Sequence, residues 1–231
     1  MKDLIRLTPR LYAAAAFCRD DSFVADIGTD HAYLPIYLCL EGKARGAVAS
    51  DINAGPVERA VENIKKYGLE QSISVRRADG LAGIEVFRPD DIMILGMGGE
   101  LIARIIEDAP WTKDNGINLC LQPMTHPEYL RKFLLDNGYE IIDEAIAEEE
   151  KIYQIILARY SGVSDSYTPE ELLLGKINIA RGGEALIRLG EHWIKVIERR
   201  AEGKRMAGAD ADEDIELMRS VKNAIGERND C

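Results

Sequence analysis

The sequence is poor in features that hold metal, form disulfides or enter membranes. Its four cysteines, Cys18, Cys39, Cys120 and Cys231, lie far apart with no CxxC pair. That spacing argues against a zinc site and against a disulfide framework, and it fits a reducing cytoplasm. No metal is expected. The opening MKDLIRLTPRLYAAAAFCRDD carries an apolar patch interrupted by Arg6 and Arg10. The patch is too short for a membrane span and lacks a clear cleavage site, so no export signal is read. Positive charge is also short: the net charge of −11 opposes non-specific attraction to a polyphosphate. Any nucleic-acid surface must then be a local basic patch on an acidic body. There is no internal repeat and no low-complexity tract.

What is present is a globular composition. With 231 residues, 46% hydrophobic and 30% charged, the chain can build one α/β domain with a well-buried sheet plus a small appendage. Short apolar runs alternate with stretches of helical period, the pattern of βαβ units around a parallel sheet. Strands are expected at Phe23 to Ile27, Ala47 to Asp51, Ile73 to Arg77, Ile92 to Leu95 and Ile117 to Gln122. Helices are expected from Tyr33 to Glu41, from Pro56 toward Tyr67 with Gly68 as the stop, around Leu101 to Asp108, and from His126 to Asn137. Tyr139 to Ala147 and Lys151 to Tyr160, joined by the acidic turn Glu148, Glu149, Glu150, read as a terminal antiparallel hairpin.

The composition shifts after Ser161. SGVSDSYTP is a linker ending in Thr168 and Pro169, a helix start. Beyond it Leu172, Ile179, Leu186, Leu189, Trp193 and Val196 recur at helical intervals, as do Ile215, Met218, Val221 and Ile225. AEGKRMAGADADED between them reads as the turn of an antiparallel helical hairpin, and Gly182 with Gly183 marks a break in its first arm. Two domains are expected, 1–162 catalytic and 163–231 helical.

The chemistry-bearing residues fall at strand ends. VADIGTDHAYLP places Asp26 at the end of an apolar strand and Gly28 at the turn into a helix, where backbone can approach a nucleotide-like ligand. It holds one glycine where the dinucleotide fingerprint G-x-G-x-x-G needs three, and it carries Asp30 and His31 at the helix entry. A pyrophosphate is a poor guest. A ligand with an α-amino group and a sulfonium suits Asp26 and Asp30 better. Asp51 closes the second strand, where an acid can accept hydrogen bonds from ribose hydroxyls, and Asp79 follows the third, placed for an adenine amino group. The fourth strand ends in Gly96, Met97, Gly98 and Gly99, either a tight turn or backbone lying flat against a bound adenosine or target base. Methyltransferases acting on exocyclic amines usually carry an Asn or Asp, two prolines and an aromatic here. Their lack favours a ring nitrogen as target. Gln122 and Pro123 end the fifth strand at the same mouth, and Gln122 serves either as a helix cap or as a substrate contact. His126 reads as a helix-start residue, and His31 as a positioning group more than a proton carrier.

Taken together, DIGTDHAYLP, SDINAGPVERAVENI, ADGL, GMGG and LQPM resemble the bacterial tRNA adenine-N1 methyltransferases that modify adenine 22. The match runs from the start of the chain through the hairpin ending at Tyr160. It departs at Ala78, where glycine is expected before Asp79. The resemblance implies a Rossmann-like methyltransferase sheet, mostly parallel with a terminal antiparallel hairpin, a C-terminal α-helical coiled-coil domain, S-adenosylmethionine as methyl donor and tRNA as partner. By motif, Asp26, Gly28, Thr29, Asp30, His31 and Tyr33 would surround the methionine part of the cofactor. Asp51 and Ile52 would hold the ribose and adenine edge, Asp79, Gly80 and Leu81 the adenine, and Gly96, Met97 and Gly98 the wall beside the methyl.

N1 of neutral adenine carries no proton, so alignment and electrostatics matter more than a strong base. Asp30 is the candidate carboxylate for the cationic product, with a helix N-cap as its structural alternative. N1 lies on the pairing edge, so the target must be unpaired or flipped. Lys2, Arg6 and Arg10 begin the chain near the cleft, and Arg6 and Arg10 are candidate contacts for the RNA substrate, with Gln122 and Pro123. Arg181, Arg188, Lys195, Arg199, Arg200, Lys204 and Arg205 make the first C-terminal helix either a solvated face or a phosphate contact. A cytoplasmic monomer is the working expectation. The rivals are a methyltransferase for a small molecule or protein, and a non-catalytic interaction protein with a vestigial cofactor fold. Missing phosphate-binding glycines set aside a nicotinamide oxidoreductase.

Overall fold

A computed structural model of the chain describes residues 5–114 and 116–226. The elements are α1 (Pro9–Ala16), β1 (Ser22–Ile27), α2 (Tyr33–Leu40), β2 (Ala44–Asp51), α3 (Ala54–Tyr67), β3 (Ile73–Arg77), β4 (Asp91–Gly98), α4 (Gly99–Glu107), β5 (Asn118–Thr125), α5 (Pro127–Asp136), β6 (Tyr139–Glu148) and β7 (Ile152–Tyr160). Then come α6 (Pro169–Leu174), α7 (Lys176–Arg181), α8 (Glu184–Met206) and α9 (Asp212–Ala224).

The strands form one sheet in the order β3-β2-β1-β4-β5-β7-β6. β1 through β5 pair in parallel, and β7 runs antiparallel between β5 and β6. The central strands are apolar on both faces because helices cover both. Ala25, Ile27, Ile92 and Ile94 pack with Ile102 and Ile106 of α4 and Leu130 and Leu134 of α5. Val24, Ala47, Ala49 and Met93 pack with Ala14 of α1, Ile36 and Leu38 of α2, and Ala60 and Ile64 of α3. Strand alternation therefore puts Asp26 on the same face as Val24.

The chain departs from its sequence reading in four places. α1 forms within the N-terminal apolar patch, with Pro9 in its first turn. β4 and β5 extend to Gly98 and Thr125, because the two strands stay paired through Met97–Pro123 and Gly98–Thr125 after register shifts. The first C-terminal arm is split in three, at Gly175 (φ 91°) and again at Gly182 and Gly183 (φ 68° and 94°). α8 continues through AEGKRM to Met206, so the turn into α9 is confined to residues 207–211. Thr168 does open α6, in a capping box with Glu171.

α9 folds back antiparallel on α8. Arg200 meets Asp214, while a Cβ on Gly190 would stand 2.4 Å from Ile225, so that glycine permits the close approach. The helical segment has its own core of Leu173, Leu174, Leu186, Leu189, Ile194, Ile197, Val221 and Ile225, against which Ile146 and Ile152 of the hairpin pack.

One fully buried ion pair ties this segment to the sheet. Arg131 of α5 donates from Nε to Glu144 Oε1 of β6 (2.8 Å), from Nη2 to Gln154 Oε1 of β7 (2.8 Å), and from Nη1 to the Leu172 carbonyl of α6 (2.8 Å). Glu144 Oε2 accepts the backbone N–H of Ile177 (2.9 Å), and a Cβ on Gly175 would press within 2.4 Å of the carboxylate. A buried charge stripped of its partner is costly, so Arg131→Met is expected to destabilise the fold by about 3–5 kcal/mol in chemical denaturation. Arg131→Met combined with Glu144→Leu is expected to cost less than the two single changes added. A loss below about 1 kcal/mol for the single variant would show that the pair does not hold the helices.

Candidate active site

The site lies where the sheet order reverses. β1 has β2 on one side and β4 on the other, so the chain leaving β1 turns away from that leaving β4 and a crevice opens at their carboxyl ends. Gly28 turns out of β1 at φ 77°, and its N–H and that of Thr29 both donate to the Ser50 carbonyl of β2 (2.8 and 2.9 Å). The positive φ strains any side chain there, and a Cβ would stand 2.1 Å from Met97 Cε, so the flexible methionine end would also have to move aside. Thr29 Oγ1 accepts the Ala32 N–H (3.1 Å), closing the turn before α2. Asp30 therefore caps nothing. It is exposed, paired with Arg59 of α3 and 3.2 Å from His31 Nε2, and the His31 ring stacks on Tyr33 with centroids 5.1 Å apart.

A cavity of about 360 Å³ is lined here by Arg10, Asp26, Gly28, Thr29, Asp30, His31, Tyr33 and Gly96, together with apolar neighbours. A second, of about 700 Å³, is lined by Asp79, Gly80, Leu81, Leu101, Ile105 and Trp111 among others. Asp51, at the end of β2, accepts the Asn53 N–H (2.7 Å), and the Ile52 carbonyl accepts from Arg77 Nε (3.0 Å). Gly80 (φ 53°) lies against Ile105, and Ala78 donates its N–H to the Asp51 carbonyl.

At the mouth, fully buried Gln122 makes a junction that its sequence position did not disclose. Its Oε1 accepts from Arg10 Nη1 (2.7 Å) and from the Gly96 N–H (3.1 Å), and its Nε2 donates to the Pro123 carbonyl (2.9 Å). It joins β4, β5 and α1, and it does not cap α5. Arg10 also donates its backbone N–H to Glu149 (2.7 Å), and its guanidinium lies 5.4 Å from the Tyr153 ring centroid. Glu149 and Tyr153 come from a hairpin far along the chain, so no local signal marks them as neighbours of the site. Gly98 caps α4, and Gly99 is bare because a Cβ would strike the His126 carbonyl at 2.4 Å. His126 precedes α5 at φ 52° with its ring 3.2 Å from Glu128.

Arg6 is exposed just before α1; Lys2 falls outside the described residues. Of the basic run, Arg181 pairs with Asp143, Arg188 with Glu148, and Arg200 and Lys204 with Asp214. Lys195, Arg199 and Arg205 keep no ion pair among the described residues.

Asp26 is the electrostatic centre of the crevice. Burial pushes its carboxyl from 3.8 up to about 6, the Thr29 hydroxyl opposes that rise, and the Asp51 charge adds to it. Among the described residues no cation pairs with it, so it suits a cationic ligand. The proton-bound form is favoured in the fold, so its stabilising contribution is complete below about 3.8 and is lost as pH rises through about 6. Ionised Asp26 then costs the ligand-free fold on the order of 3 kcal/mol. Asp26→Asn is expected to raise the thermal midpoint by several degrees near pH 8, with the gain fading below about pH 5. An unchanged or lower midpoint near pH 8 would contradict an uncompensated buried charge.

Residues 7–156 match the family model of the methyltransferase domain. The tRNA (adenine(22)-N(1))-methyltransferase of Bacillus subtilis is 40% identical over 168 residues, covering 69% of this chain and 71% of that protein. The crystal structure of the B. subtilis m1A22 tRNA methyltransferase superposes with a TM-score of 0.79 at 32% identity, covering 96% of both chains. A Streptococcus pneumoniae structure in complex with S-adenosyl-L-methionine gives a TM-score of 0.83 at 31% identity, covering 95% of this chain and all of the other. The chain therefore belongs to the tRNA (adenine(22)-N(1))-methyltransferase family, and its seven-stranded sheet is the Rossmann-like fold of that family.

Proposed function

We propose that this protein transfers a methyl group from S-adenosylmethionine to N1 of adenine 22 in tRNA. The observation that carries the reading is the uncompensated Asp26 carboxylate in a crevice floored by bare glycine backbone, in a chain of this family. The residues fit such a cofactor: Asp26 and Asp30 offer negative charge to its cationic groups, and Gly28 and Gly96 offer backbone without side chains. In this reading Thr29, His31 and Tyr33 complete the methionine subsite. Asp51 and Ile52 hold the ribose side, Asp79, Gly80 and Leu81 the adenine, and Gly96, Met97 and Gly98 the wall beside the methyl. The bound cofactor supplies an electrophilic methyl on a sulfonium.

The chain's own contribution is alignment. The ring nitrogen of neutral adenine brings its own lone pair, so a group that orients the base matters more than one that removes a proton. Asp30 is the carboxylate assigned to the cationic product. Its pairing with Arg59 suits electrostatic support rather than proton abstraction. Pro123 and Gln122 border the side from which a base would enter, after extrusion from the tRNA. Arg6 supplies positive charge just before α1, and Lys195, Arg199 and Arg205 supply it on α8. On an acidic body such local patches are where phosphates would be held.

The catalytic unit is taken as residues 1–162 and the helical unit as 163–231, supported by the separate apolar core of the latter. The free thiols of Cys18, Cys39 and Cys120 suit a reducing cytoplasm. Among the described residues no helix is long and apolar enough to cross a membrane.

Transfer of labelled methyl to unmodified tRNA transcripts tests the assignment. The label is expected as 1-methyladenosine, absent from a transcript with guanine at position 22 and reduced at least about a hundredfold by Asp26→Ala. Cofactor binding without label on any tRNA would contradict it and favour a small-molecule or protein acceptor.

A further inference from the structure

A methionyl cofactor brings one negative group, its α-carboxylate, into a crevice lined by carboxylates. Asp26 and Asp30 suit the sulfonium and the α-amino group and repel the carboxylate. Among the charged groups facing the 360 Å³ cavity, the guanidinium that can answer it is that of Arg10. His31 already lies beside Asp30.

Arg10 is held differently from the arginines that end in ion pairs. Arg19, Arg59, Arg181, Arg188 and Arg200 all end on carboxylates, which neutralise them. The side chain of Arg10 is held by neutral partners: Gln122 Oε1 at 2.7 Å, the Tyr153 ring at 5.4 Å, and the bare backbone of Gly96, where a Cβ would be 3.4 Å from Nη1. Its backbone is anchored separately, by Glu149. Gln122 is buried completely and fixed in turn by the Gly96 N–H and the Pro123 carbonyl. The guanidinium is thus pre-oriented with no ion pair among the described residues, which is what charge-assisted recognition of a carboxylate needs.

We propose that Arg10 binds the α-carboxylate of S-adenosylmethionine and that Gln122 is its positioning residue. This rests on the cofactor reading above, and it moves both residues from the RNA side of the site to the cofactor side. α1 thereby becomes part of the cofactor site.

Calorimetry on the full chain with S-adenosylmethionine, S-adenosylhomocysteine and decarboxylated S-adenosylmethionine tests it, because the last lacks only the carboxylate. Arg10→Ala is expected to weaken the two carboxylate-bearing ligands by roughly tenfold to a hundredfold and to leave the decarboxylated one within about twofold. Arg10→Lys is expected to restore part of the loss, and Gln122→Leu to produce a smaller loss of the same selectivity. Equal weakening of all three ligands would overturn the proposal. So would unchanged cofactor affinity in Arg10→Ala accompanied by weaker tRNA binding, which would make Arg10 a phosphate contact. If the unaltered protein bound none of the three ligands, the cofactor reading itself would fall, a result distinct from either.

Discussion

The crevice exists because the order of parallel strands reverses between β1 and β4, and the residues at the carboxyl ends of those strands derive their place from that reversal. Successive parallel strands must be joined by crossovers of one hand, so β1, β2 and β3 grow outward on one side and β4 and β5 on the other. Their carboxyl ends share one edge. Asp26 ends beside Ala49 and Met93, strands apolar on both faces, and this is why its carboxyl is desolvated. A charge that the fold does not compensate is unfavourable in the empty protein and favourable once a cation arrives. The same packing that makes the sheet stable thus creates the demand for a positive ligand.

A second constraint acts at the opposite edge. β7 inserts antiparallel between β5 and β6, so the hairpin tip with Glu149 and Tyr153 returns to the mouth of the crevice beside Arg10. The same two strands carry Glu144 and Gln154, which with Arg131 secure α6 and α7. The hairpin therefore touches the site at one end and the helical segment through its middle. Its acidic groups also absorb part of the basic run, through Asp143 with Arg181 and Glu148 with Arg188. What positive charge is left for a polyanion is local, as the net charge demands.

Much of this was legible in the sequence, for physical reasons. Apolar runs ending in Asp26, Asp51 and Asp79 reveal parallel strands because such strands are buried on both faces, and their carboxyl ends are where ligands sit. The glycines of GMGG were legible as a group but not individually: Gly96 meets Arg10, Gly98 caps α4 and Gly99 clears the His126 carbonyl. Less legible were features set by distant partners. Gln122 offers two readings from its local context, and only contacts with residues 26 and 112 positions away select one. α1 is masked by the arginines that interrupt its apolar patch. The break between α6 and α7 falls at Gly175, where the Glu144 carboxylate lies in the place of a side chain, which helical periodicity does not reveal.

The most direct test of this account is the pH dependence of S-adenosylmethionine affinity, measured by calorimetry from about pH 5 to about pH 8. A carboxyl pushed up to about 6 is ionised across that window, so affinity should climb as pH rises through 6 and then level off, and Asp26→Asn should abolish the climb. An affinity independent of pH in the unaltered protein, or a climb that survives in Asp26→Asn, would show that the buried carboxylate is not what draws the cation.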